Sequence, residues 1–281
     1  MPRHIVCLTY DFDALSLPIA KGMVSPTALS RGEFGLVGAE RIHLMLSDRH
    51  IPATFFVPGH TIESFPGSVV PLVEAGHEIA HHGWTHRRPN DLSREEETEE
   101  LVRGIAAIRS ITGKLPVGYR SPSWDLSPNT LDLLIEHGFE YDSSMMGHDY
   151  RPYRPRRGDR TPLLEPASFG SETPLIEMPV SWSLDDYPHF EWSVMSGGAL
   201  NPGLGHWRGV VDNWIADFDY MRETTDWGVI TYTFHPFVSG RGHRMKAMAA
   251  LIDHLTGAGV TFLTMADAAR EAAEMIGPPK T

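Results

Sequence analysis

Short runs rich in Val, Ile, Phe and Thr recur along this chain, and most are followed by a longer run with helical spacing. This alternation limits the fold more than any other feature. A strand, then a helix, then another strand gives parallel strands with helices packed outside them. The strand-like runs are 4–12, 53–58, 77–82, 117–122, 139–144, 175–180, 229–235 and 260–264. The helical runs are roughly 36–49, 66–75, 94–112, 128–137, 207–225, 242–256 and 265–275. The fold class is α/β, and this many units over 281 residues point to a (β/α) barrel, complete or incomplete, read as one domain over 1–281. An open doubly wound sheet is the alternative. It is disfavoured because no glycine-rich phosphate loop follows the first strand.

Local signals support the helices. Ser93 with Glu96 three residues later forms a capping box, and the acids of EEETEE (95–100) fall in the first turns, where the helix dipole favours anions. That acidic run reads as a solvated helix start. Ser127, Pro128 and Gly138 bracket another helix as cap, first-turn proline and stop. Two long connections, 14–34 and 145–174, break the rhythm and are expected to fold as lids over strand ends. The arginines at 151, 154, 156, 157 and 160 read as a proline-stiffened surface loop.

The formal net charge of -12 disfavours nucleic acid and anionic membrane surfaces as partners. A homo-oligomer is compatible with the chain. The one cysteine, Cys7, lies in an apolar run and reads as a buried thiol. The N-terminus lacks a signal-peptide pattern and no run approaches membrane-span length, so the expected location is cytoplasmic.

In barrels, reactive side chains gather where strands end. Here those ends read Tyr10-Asp11-Phe12-Asp13, His81-His82-Gly83-Trp84-Thr85-His86, Tyr119-Arg120-Ser121-Pro122-Ser123-Trp124 and Phe234-His235-Pro236. Asp11 and Asp13 are two apart, so on an extended strand both carboxylates point one way and Phe12 the other. His82 and His86 are four apart. One helical turn after the strand would bring both rings to one side, and a carboxylate from elsewhere would complete a two-His-one-carboxylate metal site. His81 alternates away from His82. His77 and His81 also have four-residue spacing, but along a strand they would lie ~13 Å apart.

The pattern LTYDFDA, HHGWTH, YRSPSW, YDSSMM and FHPFVSG resembles the NodB-homology polysaccharide deacetylases, carbohydrate esterase family 4, along nearly the whole chain. The commonest family form has two adjacent aspartates, whereas this chain has Asp-Phe-Asp. That variant, with SRGEFG, PATFFVPGH, SWSLDDYP and HPFVSGRGHR, resembles a subgroup of peptidoglycan-deacetylase-like proteins and cyclic imidases. The resemblance implies a distorted barrel of the NodB type. It also implies that Asp13, His82 and His86 are metal ligands, Asp11 the base, His235 the acid, and Arg120 the group that keeps Asp11 charged.

The implied reaction is metal-dependent hydrolysis of a non-peptide amide, removing the N-acyl group of an N-acetylated sugar or short glycan. The implied cofactor is Zn2+ or another divalent transition metal. A backbone N–H near Met145 or Tyr150 is the candidate second donor to the developing oxyanion. Hydrolysis of a small cyclic imide would use the same three ligands, base and acid. An inactive carbohydrate-binding barrel would require loss of the base or acid, and both are present. Enclosure by the two long connections favours a small or short substrate.

Overall fold

A computed structural model describes residues 2–194 and 200–280. The chain opens with β1 (Arg3–Asp11), α1 (Ser16–Ala20), α2 (Pro26–Asp48), β2 (Thr54–Val57), α3 (Gly59–Ser64), α4 (Pro66–Glu74) and β3 (Glu78–His81). Next come α5 (Arg94–Thr112), β4 (Gly118–Tyr119), α6 (Thr130–Glu136), β5 (Tyr141–Asp142), β6 (Arg156–Arg157), β7 (Ser171–Glu172) and β8 (Ile176–Glu177). The rest is α7 (Asp186–Phe190), β9 (Trp192–Val194), β10 (Leu200–Pro202), α8 (Trp207–Thr224), β11 (Trp227–Phe234), α9 (Pro236–Ser239), α10 (Gly242–Gly257), β12 (Thr261–Phe262) and α11 (Met265–Ile276). No helix among the described residues is long and apolar enough to cross a membrane.

Every strand-like run of the sequence becomes a strand of one parallel sheet. Its path is β11-β1-β2-β3-β4-β5-β8, with β12 pairing the lower part of β1 at Ile5 and Val6. Alternation along β1 sorts its side chains into two layers. Val6, Leu8, Tyr10 and Phe12 pack under the surrounding helices with Phe218, Leu251 and Ile252. Ile5 and Cys7 face the other way and join Phe56, Ala80, Tyr141, Ile176 and Val229, one or two residues from most strands of the sheet. This second cluster is the barrel interior, and α11 contributes Met265 and Ala269 to it. Cys7 is buried there as a free thiol, as expected.

The barrel has a seam. Among the described residues β8 and β11 do not pair. The segment after β5 spans the gap instead: Tyr153 bridges Glu177 of β8, and the Tyr150 carbonyl accepts the Val229 N–H of β11 at 2.9 Å. This corrects the lid expected over 145–174. Tyr150 turns its hydroxyl to Asp217 of α8, and the β6–β7 hairpin extends outward, where Arg157 pairs with Asp132 at 3.0 Å and Arg156 with Asp159 at 3.0 Å. The 14–34 connection is corrected too. Ser25 caps α2, which begins at Pro26, so much of that stretch is helix rather than loop. The helix start was missed because Gly32, Gly35 and Gly38 interrupt the apolar spacing. They are needed for close packing: a Cβ on Gly38 would stand 2.0 Å from the Pro236 carbonyl oxygen.

The acidic run of α5 also differs from its solvated reading. The capping box forms, but Glu97 is buried and accepts the Ser127 and Thr130 hydroxyls, each at 2.5 Å, tying α5 to the start of α6.

Candidate active site

The inward face of β1 changes character along its length. Ile5 and Cys7 are apolar floor, while Thr9 and Asp11 are polar, and the chain just past the strand adds Asp13. Arg120, just past β4, is fully buried and reaches across to them. Its Nη1 donates to Asp11 Oδ1 at 2.8 Å and to Thr9 Oγ1 at 2.9 Å, and Nη2 donates to Ser143 Oγ at 3.0 Å. The guanidinium lies over the Phe56 ring, 4.1 Å from its centroid. Burial pushes the Asp11 carboxyl up, but Arg120, with His82 and His235 beyond it, brings it below the usual carboxylate range.

His82 and His86 meet at Asp13 for a reason other than the one the spacing suggested. HHGWTH contains no helical turn. After β3 the chain bends, with Gly83 at φ +72 and His86 at φ +59. A side chain on Gly83 would be strained there and would press on Pro122. The bend turns the rings toward each other, with centroids 5.0 Å apart. Both Nε2 atoms face Asp13 Oδ1, at 3.5 Å from His82 and 3.7 Å from His86. His82 Nδ1–H donates to the Arg120 carbonyl at 2.7 Å, which leaves Nε2 free of its proton. His81 points outward, as alternation required. Its Nε2–H donates to the Leu101 carbonyl at 3.0 Å, and its Nδ1 accepts the Gly83 N–H at 3.1 Å.

These three side chains fit a divalent cation. One donor atom from each of Asp13, His82 and His86 lies within 4.8 Å of the others. Both Asp13 oxygens and His82 Nε2 are buried with no hydrogen-bond partner among the described residues. Burial, with repulsion from Asp11, pushes the Asp13 carboxyl up to about 8, so this position calls for positive charge. Burial holds both imidazoles in the neutral form that ligates metals, and His86 lies well below the usual histidine value. Two neutral nitrogens and one carboxylate suit zinc and similar ions.

His235, just past β11, completes the cluster. Its Nε2 lies 4.0 Å from Asp11 Oδ2, and its Nδ1 lies 2.8 Å from Asp186 Oδ1 and 3.5 Å from Asp185 Oδ1. Burial opposes a charged ring, but Asp185, the Asp186 hydrogen bond and Asp11 outweigh it and raise His235 well above the usual histidine value. Asp186 is fixed in turn by the His235 backbone N–H at 2.9 Å and by the Ser239 hydroxyl. Sequence reasoning missed this anchor: 49 residues separate Asp186 from His235, and no local signal links them.

The backbone donors named for an oxyanion are already used. Met145 N–H donates to Glu177 at 2.8 Å, and Tyr150 N–H donates to Asp149 at 3.0 Å. At the mouth, Trp182 is 43% exposed and stacks on Trp124 with centroids 4.2 Å apart, beside Arg120. Tyr187 lies 5.5 Å from the His235 ring.

Comparison with known proteins gives a consistent set of likenesses. The sequence model of the polysaccharide deacetylase family matches residues 37–141. A peptidoglycan deacetylase of Helicobacter pylori is 35% identical over 267 residues, covering 89% of each chain. A peptidoglycan deacetylase-like protein of Gibberella zeae is 28% identical, over 96% of this chain and 86% of its own. A Mycobacterium smegmatis crystal structure assigned to the polysaccharide deacetylases superposes with a TM-score of 0.82 at 31% identity, covering 100% of this chain and 94% of that one. The Puue allantoinase shares the fold, with a TM-score of 0.78 at 21% identity over 97% of this chain and 91% of its own.

Proposed function

The chain belongs to the NodB-homology polysaccharide deacetylase family, and on that premise we propose that it is a metal-dependent hydrolase that removes the N-acyl group from an N-acetylated sugar or short glycan. The observation that carries this reading is the buried Asp13 carboxylate, with no hydrogen-bond partner on either oxygen among the described residues and faced by two neutral imidazoles. Asp13, His82 and His86 would hold the ion. When bound, a zinc-type ion supplies Lewis acidity and lowers the pKa of water toward neutrality.

Asp11, kept ionised by Arg120, takes one proton from the attacking water. The water oxygen forms a bond to the acyl carbon, and the carbon–nitrogen bond breaks. His235, kept charged by Asp185 and Asp186, delivers its Nε2 proton to the departing nitrogen, which leaves as an amine. The 4.0 Å between His235 Nε2 and Asp11 Oδ2 makes the two groups neighbours, so both can reach one small reacting centre. The exposed Trp182 on its Trp124 base offers a flat face on which a sugar ring can stack. The Helicobacter relative, a peptidoglycan deacetylase, supports a glycan substrate.

The test is acetate release by the zinc-loaded and the chelator-treated protein. The substrates are N-acetylglucosamine oligomers, long glycan and succinimide-type rings, assayed in parallel. Zinc-dependent acetate release from the oligomers is expected. Ring opening of the imides without acetate release would overturn the reading in favour of a cyclic imidase. Release from long glycan alone would overturn the preference for a short substrate.

A further inference from the structure

Glu100 lies on the second turn of α5, outside the cluster just described, yet its carboxylate reaches the bend that presents His86. Oε2 accepts the N–H of Trp84 at 2.8 Å and the N–H of Thr85 at 2.9 Å, and Oε1 accepts the Thr85 hydroxyl at 3.0 Å. The side chain is largely buried, at 13% exposure. The next residue along the chain is His86, held at φ +59, a conformation that side-chain-bearing residues seldom adopt. Two successive N–H groups aimed at one carboxylate oxygen fix the 83–84 and 84–85 peptide planes, the two that precede the peptide entering His86, and charge strengthens each bond. The other side of the bend is tied by backbone: Gly59 N–H donates to the Gly83 carbonyl at 3.1 Å, and His60 N–H to the Trp84 carbonyl at 2.9 Å. Those bonds hold the carbonyls. Glu100 holds the N–H groups.

We propose that Glu100 is a positioning residue for divalent-cation binding, acting through Trp84 and Thr85 to aim His86 Nε2 at Asp13. The proposal rests on the reading that Asp13, His82 and His86 hold the ion. Loss of the carboxylate would release two N–H groups and let the bend relax from its left-handed residue. The ion would then be held by a ligand that must first be ordered.

The test compares wild type, E100A, E100Q and the control E99A, which alters a neighbouring residue on the exposed side of α5. Zinc affinity is read by competition with a chromogenic chelator. Amide protection at Trp84 and Thr85 is read by hydrogen exchange on the ion-free proteins. E100A is expected to lose protection at both amides and to bind zinc ~10–100-fold more weakly, as is typical when a metal ligand's supporting partner is removed. E100Q keeps one acceptor oxygen and is expected to fall between E100A and wild type, and E99A is expected to match wild type. If E100A fails to fold, E100Q carries the same comparison. Zinc affinity within twofold of wild type in folded E100A would overturn the role of Glu100 alone. A wild-type chain that takes up no zinc would overturn the metal reading itself. Unchanged amide protection in E100A would overturn the claim that Glu100 holds the bend.

Discussion

Two aspartates two residues apart on one strand end have opposite charge preferences because their neighbours differ. Asp11 has Arg120 at 2.8 Å and is held ionised, whereas Asp13 has no such partner and is pushed up to about 8. Asp11→Asn should therefore keep its divalent ion and lose turnover by ~10²–10⁴-fold, since an amide cannot accept the water proton. Zinc content and kcat of the same preparation check this, and loss of the ion would make Asp11 a ligand instead. A second prediction concerns the acid. With His235 proposed to act in its protonated form, activity is expected to fall as pH rises through its raised pKa, and Asp186 is part of what raises it. Asp186→Asn should move the alkaline limb of the kcat profile to lower pH, and an unmoved limb would separate Asp186 from the proton transfer. The sequence made Asp11, Asp13, His82, His86, Arg120 and His235 legible because each sits at a strand end in a short polar cluster. Asp186 and Glu100 were not legible, since their contacts with His235 and with the His86 bend exist only in the folded chain.

At the scale of elements, every strand of the main sheet could be read from the chain, because buried parallel strands leave unbroken apolar runs. The α5 boundaries were equally plain, with Ser93 capping and Gly113 at φ +73 ending the helix. The short helices α1, α3, α7 and α9 were not legible, because one or two turns are too few to set up a repeating apolar face. Within α5, Gly104 marks where helix and strand touch. A Cβ there would stand 2.2 Å from His81 Nε2, and His81 is held in place by its bonds to Leu101 and Gly83. Gly104→Ala should thus destabilise the chain by ~1–3 kcal/mol despite the better helix propensity of alanine. Urea unfolding checks this, and a neutral or stabilising result would mean that α5 can move away from β3 freely.

Over the whole molecule, buried neutral histidines make stability depend on pH. His77 packs against Phe55, both its ring nitrogens lack partners among the described residues, and burial lowers it to about 4. Between about 6.5 and 4 the unfolded chain binds a proton at His77 that the folded chain refuses, so this group's contribution is full above that window and is lost as pH falls through it. Wild type should lose stability relative to His77→Phe over that range, with a slope of up to about 1.4 kcal/mol per pH unit. Parallel pH dependence of the two unfolding free energies would show that His77 does not contribute. The paired length of β1 and β11 has a different consequence. Eight consecutive residues, Arg3 to Tyr10, run alongside Trp227 to Phe234, and the next residues are Asp11 at the end of β1 and His235 just past β11. The backbone ladder therefore serves as a calliper. Main-chain register sets where Asp11 and His235 start from, and Arg120 and Asp186 then aim the two side chains. Loops around the mouth can be recast for new substrates while the backbone spacing of Asp11 and His235 stays fixed.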